Sequence, residues 1–201
     1  MGLITGLRTY FFVLLLRIRG AEIGKNVRIE GLLDILLRDG ASLKNLVIGD
    51  NVVFSGKTYL RFRKNGKIII ENNVKISTET WFVTANDADI VIGENTIIGP
   101  YSIFNGGHGI RIGRYCIFGA FVYINSSEHS FKRGTYIQNQ EFYGKTVTLG
   151  DDVWLGGHVI ITQGTTIGTG AVIGGGAIVT KDIPDYKIAF GNPARVVRDR
   201  V

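Results

Sequence analysis

The chain has 201 residues, the size of one domain, and 45% of them are hydrophobic, so it can bury a sizeable core. Its formal net charge is +6, but the sequence has no long run of Lys or Arg and no interleaving of basic with aromatic residues, which argues against nucleic-acid binding. A single cysteine, Cys116, excludes an internal disulfide framework and favours a reducing compartment.

The first predicted element is a helix over residues 1–20. Its apolar run, residues 10–16, is too short to span a bilayer, and arginines follow it directly, unlike in a secretory signal. Two interpretations stay open: the helix caps the fold that follows, or it lies as a basic interfacial helix on the inner leaflet of a membrane. One side of the helix carries Leu3, Leu7, Tyr10, Leu14 and Ile18.

The clearest pattern is a six-residue repeat over residues 149–183. An aliphatic residue begins each unit, Gly or Thr follows it, and a small or branched residue takes the fifth place. A period of six fits neither the helical period nor strand alternation, and indicates short strands joined by turns, three to a coil. The unit heads, all predicted to point inward, are Leu149, Leu155, Ile161, Ile167, Ile173 and Val179.

The same pattern occurs earlier in the chain at longer intervals. The heads Ile23, Ile48, Ile70, Ile92, Ile112 and Leu149 are 25, 22, 22, 20 and 37 residues apart. These intervals predict coils with small corner insertions and one large excursion over residues 130–146. Asn near the fourth place predicts left-handed turns that form a ladder between coils. The excursion is either a place for functional groups or a tolerated surface insertion.

These units resemble the signature of the hexapeptide-repeat transferases. The Thr-Lys-Asp-Ile-Pro junction at residues 180–184 and the ending at residues 191–198 resemble those of bacterial acetyltransferases that modify sugars and polysaccharides. The resemblance covers about residues 90–198 and implies an all-β, single-domain, left-handed parallel β-helix. The β-helix is expected over residues 21–183, after the N-terminal helix and before a C-terminal extension over residues 184–201.

The resemblance implies transfer of an acetyl group from acetyl-CoA to a sugar hydroxyl, in capsule, lipopolysaccharide or exopolysaccharide synthesis. Such a transfer needs a base, and histidine suits neutral pH. By its match to the family's Ser-x-x-His-Ser-Phe setting, His129 is the expected base, and Gln140 of the same loop is expected to bind the acceptor. Cys116 falls at a small-residue place with no activating partner, so direct transfer is expected.

Three further residues are candidates for binding the acceptor sugar. Asn105 and Asn125 hold the same place in units twenty residues apart and are predicted to stack beside His129. They orient the imidazole, hold the sugar, or form only a turn ladder. His108 either contacts the acceptor or is a surface histidine.

The family match also implies a coenzyme A surface. Trp154 matches an aromatic residue near the thioester, although it could simply cover a coil face. Gly157 and Gly175 would line the pantetheine path with their backbones. Four residues would lie near the phosphates, namely Thr180, Lys181, Arg195 and Arg198.

Family members are trimers with active sites between subunits, which implies a homotrimer. We expect a cytoplasmic protein, with or without contact between residues 1–20 and the inner face of the membrane. One rival function is N-acetylation of a nucleotide-linked amino sugar. Relatives with that activity often have an extra nucleotide-binding segment before the repeat, and residues 1–20 are too short to form one. Another rival is a non-catalytic scaffold. A zinc site like that of the gamma-class carbonic anhydrases is disfavoured, because the three histidines are 21 and 29 residues apart, and no metal is expected.

Overall fold

The structure is a computed structural model that describes the backbone of residues 2–201 and the side chains of residues 9–201. This part of the chain contains one α-helix, α1 (Gly2–Ile18), two 3-10 helices (Leu43–Asn45 and Ile137–Asn139) and 25 strands. The strands are, in chain order, β1 (Glu22–Ile23), β2 (Arg28–Ile29), β3 (Leu33–Arg38), β4 (Leu46–Ile48), β5 (Val53–Phe54), β6 (Thr58–Arg63), β7 (Ile68–Ile70), β8 (Lys75–Ile76), β9 (Thr80–Thr84), β10 (Ile90–Ile92), β11 (Ile97–Ile98), β12 (Ile103–Gly106), β13 (Ile110–Ile112), β14 (Ile117–Phe118), β15 (Tyr123–Asn125), β16 (Ser127–His129), β17 (Phe142–Gly144), β18 (Val147–Leu149), β19 (Trp154–Leu155), β20 (Ile160–Ile161), β21 (Thr166–Ile167), β22 (Val172–Ile173), β23 (Ile178–Val179), β24 (Lys187–Phe190) and β25 (Arg195–Asp199).

Three long sheets form the sides of a prism. Sheet A has the order β1-β4-β7-β10-β13-β18-β21, sheet B the order β2-β5-β8-β11-β14-β19-β22-β24-β25, and sheet C the order β3-β6-β9-β12-β15-β20-β23. Neighbouring strands in these sheets are parallel, except for β24 and β25. The chain therefore visits A, B and C in turn, which confirms the predicted parallel β-helix. Its left hand stays an implication of the resemblance.

The aliphatic heads of the repeat point into the prism. Ile92 and Ile167 are 0% exposed, and the other heads of the regular coils are buried with them in one continuous cluster. A column of aromatic rings runs through the middle coils, where the rings of Phe82 and Phe104 stack with their centroids 4.9 Å apart. Each coil thus buries its apolar ring against the coils on either side, which is how a solenoid obtains its hydrophobic stabilisation.

The corner between sheets A and B is built on left-handed turn residues. Asn51, Asn73 and Asn95 have φ angles of 57°, 61° and 60°. The Asn51 amide Nδ2 donates to Asn73 Oδ1 at 3.0 Å. The predicted asparagine ladder is confirmed from Asn26 to Asn73, while Asn95 keeps only the turn conformation. Tyr115 takes the same conformation one coil later, with a φ of 59°.

Helix α1 covers the open end of the first coil. Val13 and Leu16 are buried in the core, and Thr9 Oγ1 donates to the Ile29 carbonyl oxygen at 3.1 Å. The Arg17 guanidinium donates to the Ile23 carbonyl oxygen at 2.8 Å. The helix therefore caps the prism, which is one of its two predicted roles.

The predicted apolar side of α1 is not the side that makes this cap. Tyr10, Leu14 and Ile18 are exposed, and the side chains of Leu3 and Leu7 lie outside the described residues. Among the helices described, none combines the length and the apolar character needed to cross a membrane.

Two segments are more regular than their sequences suggest. An antiparallel hairpin of β16 and β17 forms the base of the excursion; it begins at residue 127, three residues before the predicted start at residue 130, and ends at residue 144. After Pro184 the six-residue period is lost, but β24 still adds to sheet B beside β22 and pairs with β25. The reason is that β22 offers an unpaired edge, and Ala189 fills the core position that an aliphatic head would occupy.

Candidate active site

The histidine expected to act as the base lies on the hairpin, which leaves the prism at the corner between sheets C and A. His129 of β16 is directly opposite Phe142 of β17. The two rings pack with their centroids 4.0 Å apart at an angle of 46°, and His129 is exposed. The imidazole is therefore supported by an aromatic ring and open to a ligand.

An open cavity of about 520 Å³ adjoins this pair of rings. Phe142 both lines the cavity and contacts His129, and Ser130 follows His129 in the chain, so the cavity begins at the immediate neighbours of the imidazole, although His129 itself does not line it. A concave, mostly apolar surface with a few polar groups is typical of a ligand site. Its lining residues are Ser130, Phe131, Lys132, Glu141, Phe142 and Tyr143.

Gln140 holds the excursion together from inside. Its Oε1 accepts a hydrogen bond from the peptide N–H of Lys132 at 2.8 Å. Its Nε2 donates to the carbonyl oxygens of Lys132 and Thr135, each at 2.9 Å. These bonds stabilise the loop that carries the cavity, and a contact between Gln140 and an acceptor stays a prediction.

Asn105 and Asn125 are neighbours in sheet C. Their strands are in register, and Asn105 Nδ2 donates to Asn125 Oδ1 at 2.9 Å, which confirms the predicted stacking. Asn125 Nδ2 then donates to the Ser127 carbonyl oxygen at 2.6 Å, and the Ser127 peptide N–H donates to Asn125 Oδ1 at 3.2 Å. The asparagine pair thus positions the start of β16, two residues before His129.

His108 anchors both ends of the excursion. Its peptide N–H donates to Ser126 Oγ at 3.0 Å, and its half-buried ring places Nδ1 2.9 Å from Ser127 Oγ. Thr146 Oγ1 donates to the His108 carbonyl oxygen at 2.9 Å. A Cβ atom added to Gly144 would lie 2.8 Å from Nδ1, so the returning strand also packs closely on this ring. Contact between His108 and an acceptor stays a prediction.

The corner between sheets B and C exposes a strip of bare backbone. Gly157 follows β19, Gly175 follows β22 one coil later, and Gly176 N–H donates to the Gly157 carbonyl oxygen at 2.9 Å. A Cβ atom at Gly157 or Gly175 would lie 3.3 or 3.1 Å from a backbone oxygen, a tight contact that a small shift of the neighbour relieves. At Gly156 it would lie only 2.5 Å from the Gly175 nitrogen. Coil packing therefore requires Gly156, whereas Gly157 and Gly175 leave backbone that a ligand can approach.

Large side chains flank this strip in three rows. Trp154 is 54% exposed in the row on sheet B, and at the corner itself the Phe121 ring stacks between Tyr101 and His158, at centroid distances of 5.0 and 4.7 Å. An exposed, largely apolar surface of this kind marks an interaction site. We call it the apolar edge; its outward residues are Ile97, Ile117, Trp154, Tyr101, Phe121, His158, Trp81, Ile103 and Tyr123.

The four residues expected near the coenzyme phosphates lie at the C-terminal end of the prism, and all are exposed. Thr180 and Lys181 follow β23, at the same corner as the excursion and two strands further along sheet C than β15. Arg195 and Arg198 lie on β25.

His129 and the strip of backbone at Gly157 and Gly175 lie at different corners of the prism, with sheet C between them.

The repeat, the three-sheet prism and the corner glycines together match one protein family. The family described as bacterial transferase hexapeptide (six repeats) matches residues 89–126 and 146–181. The chain belongs to the hexapeptide-repeat transferases. The matched segments contain Asn105, Gly157 and Gly175, whereas His129 falls in the gap that the excursion creates.

Named relatives of this hexapeptide-repeat transferase include sugar acetyltransferases. The chain is 32% identical to galactoside O-acetyltransferase of Escherichia coli over 153 residues, and 32% identical to polysialic acid O-acetyltransferase of Escherichia coli over 144 residues. These matches cover 76% and 71% of this chain but only 63% and 44% of those proteins.

A solved structure shares the fold. AntD, an N-acyltransferase from Bacillus cereus in complex with dTDP and 3-hydroxybutyryl-CoA, matches with a TM-score of 0.64 at 21% identity. The match covers 93% of this chain and 87% of that one. At this identity the likeness concerns the architecture of the hexapeptide-repeat transferase.

The single thiol is unsuited to nucleophilic attack. Cys116 is buried, and burial raises the pKa of its thiol to about 11, so the thiol is protonated at neutral pH. Its Sγ lies 3.4 Å from the Gly150 carbonyl oxygen, inside the coil stack. Among the side chains of residues 9–201, no group of three or more His, Cys, Asp or Glu is placed to hold a metal ion.

Two features of the site were not predicted. One is the packing of Phe142 on His129, which depends on the register of the hairpin. The other is the corner stack of Tyr101, Phe121 and His158. A signal for the stack exists in the sequence, because these residues are 20 and 37 residues apart, the same intervals that separate successive unit heads. All three have positive φ angles of 59° to 60°.

Proposed function

We propose that the chain is an acetyl-CoA-dependent O-acetyltransferase that modifies a sugar hydroxyl during the synthesis of a capsule, lipopolysaccharide or exopolysaccharide. The observation that carries the proposal is the exposed His129 imidazole, supported by Phe142 beside a cavity, on a hairpin anchored at its root by Asn125 and His108. The names of the galactoside and polysialic acid O-acetyltransferases support a sugar acceptor.

In the proposed reaction His129 is the general base. A ring nitrogen takes the proton of the acceptor hydroxyl while the hydroxyl oxygen attacks the thioester carbonyl carbon. Negative charge develops on the carbonyl oxygen, the tetrahedral intermediate collapses, and the carbon–sulfur bond breaks. The imidazolium then returns the proton to the leaving sulfur, so the products are an acetylated sugar and free coenzyme A. Because Cys116 is buried and protonated, transfer is direct, without an acyl-enzyme.

We place acetyl-CoA along the corner between sheets B and C. Gly157 and Gly175 accept the pantetheine arm against bare backbone, and Trp154 covers the thioester end. On the acceptor side, Asn105 and Asn125 contact the sugar, while His108 and Gln140 contribute through the loop that they stabilise. Cationic and hydroxyl groups meet the phosphates. Arg195 and Arg198 lie on β25, whereas Thr180 and Lys181 lie at the corner of the excursion and come from the subunit that supplies His129.

We propose that the active unit is a homotrimer. The apolar edge needs a cover, and a second copy supplies one of matching chemistry. His129 and the backbone strip lie at different corners of one chain, so a neighbouring chain is the simplest way to bring them together. The active site then lies between two subunits: one supplies His129, and the next supplies Trp154, Gly157 and Gly175.

We place the protein in the cytoplasm, because its one thiol is free and buried and no disulfide framework is present to exploit an oxidising compartment. The proposal includes peripheral contact with the inner face of the membrane through residues 1–20.

Thiol release from acetyl-CoA tests the enzymatic proposal, with free sugars, nucleotide sugars and lipid-linked glycans as acceptors. A His129→Ala variant that folds normally is expected to lose about 100-fold to 10,000-fold in turnover, the usual contribution of a general base. The control is Arg133→Ala, an exposed residue of the same excursion, which is expected to keep its turnover. If a folded His129→Ala variant kept the full rate of acetyl transfer, His129 would not be the base. If only acceptors with an amino group released thiol, the enzyme would be an N-acetyltransferase instead of an O-acetyltransferase.

A further inference from the structure

The side of α1 that faces away from the prism is apolar and uncovered. At about 100° per residue, its five large side chains fall within an arc of about 140° on the helix. We call this surface the outer face of α1. Its members are Tyr10, Phe11, Leu14, Leu15 and Ile18, which are 63%, 60%, 39%, 43% and 74% exposed.

Folding of the chain does not require this surface. The opposite side of the helix makes the cap, with Val13 and Leu16 buried and Phe12 packed against the core. The first coil adds further exposed apolar side chains, Leu32 at 45% and Leu37 at 38%. Large exposed apolar surfaces on folded proteins mark contacts with partners or membranes.

The charged residues of the helix itself are all basic, whereas the first coil below it is mixed, with exposed Glu30 4.0 Å from Arg28. Residues 2–20 contain Arg8, Arg17 and Arg19 and no Asp or Glu. Arg19 is exposed, and the Lys44 side chain lies against Gly20 at the end of the helix. The first acidic residue of the chain is Glu22. The surface thus combines apolar side chains with a cationic border.

This border decides between the two possible occupants. If a second copy covered the outer face through a twofold contact, each patch would meet itself and the two cationic borders would face each other. An anionic lipid surface instead attracts the border, while Tyr10 and Phe11 suit the boundary between headgroups and acyl chains. We propose that the outer face of α1 lies on an anionic membrane, in the plane of the headgroups.

The position of α1 at the end of the prism gives the contact an orientation. In the proposed trimer, subunits with parallel axes present all three outer faces in one direction, so three modest contacts act together on one surface. In sheet C, β15 is four strand spacings from β3, or about 19 Å, so the His129 hairpin stands away from the lipid. The inference rests on the peripheral contact and the trimer of the proposed function, but not on acetyl transfer.

Sedimentation with vesicles tests the contact. The probes are vesicles of phosphatidylglycerol and phosphatidylethanolamine, compared with vesicles of phosphatidylcholine alone. The variant Phe11→Ser/Leu15→Ser removes two side chains of the outer face and leaves the buried side intact. Its matched control is Val196→Ser/Val197→Ser, which removes two side chains that are 44% and 47% exposed at the opposite end of the prism.

The full chain is expected to sediment with the anionic vesicles, less so at high salt, and weakly with phosphatidylcholine. The variant is expected to lose about tenfold in affinity for the vesicles, while the control binds like the full chain. For the Phe11→Ser/Leu15→Ser variant, we expect the rate of thiol release without vesicles, the circular dichroism spectrum and the native mass to equal those of the unmodified chain. The test of membrane contact is therefore separate from the test of acetyl transfer. Equal binding by the variant, or no binding by the full chain, would overturn the proposal. A fall in native mass in the variant would also overturn it, because it would make a second copy the occupant.

Discussion

The anchoring of the excursion by His108 leads to a sharp prediction. In a His108→Ala variant the ring that meets Ser127 Oγ is lost, whereas the backbone bonds to Ser126 and Thr146 remain. The start of the hairpin thus loses its hydrogen bond to the His108 ring but keeps the hydrogen bonds that join it to the His108 backbone. Gly144 of the returning strand, which packs close to the same ring, loses a neighbour as well.

The expected magnitudes follow from this geometry. One hydrogen bond and the contacts of a half-buried ring correspond to about 1–2 kcal/mol of unfolding free energy, so the variant should remain folded. The effect on catalysis is larger, because a displacement of about 1 Å in the position of a catalytic group lowers the rate about 100-fold. We expect kcat to fall about tenfold to 100-fold, with the KM for acetyl-CoA changed less than about twofold.

The control is His108→Asn, whose side-chain amide places a polar atom where Nδ1 lies and can bond Ser127 Oγ again. We expect it to restore most of kcat. Steady-state thiol release measures both constants, and hydrogen exchange over residues 127–144 reports the hairpin directly. An unchanged kcat with a raised KM for the acceptor would show that His108 binds the acceptor, and the positioning argument would be wrong.

Three other predictions concern the coil stack, the apolar edge and the thiol. Gly156→Ala forces a Cβ atom to within 2.5 Å of backbone and should lower the unfolding free energy by about 1–3 kcal/mol in thermal denaturation. Gly157→Ala, with its nearest backbone oxygen at 3.3 Å, should cost clearly less stability and raise the KM for acetyl-CoA. Phe121→Glu places a charge in the apolar edge and should convert trimers to inactive monomers in sedimentation velocity; a stable, active trimer would refute the assigned interface. Cys116, with its thiol pKa raised to about 11, should resist alkylation at pH 8 in the folded protein and react once denaturant exposes it. Rapid alkylation under native conditions would contradict its burial.

The sequence alone determined the prism and its corners. Residues such as Ile92 and Ile167 recur at intervals that no helix can bury on one side, so a coil with inward heads was the simplest fold. Asn51 and Asn73 were recognisable as turn residues, because asparagine tolerates the left-handed conformation that each tight corner needs. The 37-residue interval between Ile112 and Leu149 interrupts the period, and it placed His129 at the start of a large excursion.

Only the tertiary structure decided how the excursion is held and which surfaces stay uncovered. His108 meets Ser127 from one coil away, and the Phe142 ring reaches His129 through a hairpin register that the period does not specify. The tertiary structure also decided which side of α1 is exposed. Helical spacing identified an apolar side, but a helix with apolar residues on most of its surface can be buried on either side, and the end of the first coil selected Val13 and Leu16. Local patterns specify each residue's direction within its own coil, whereas contacts between coils depend on chain segments that meet only after folding.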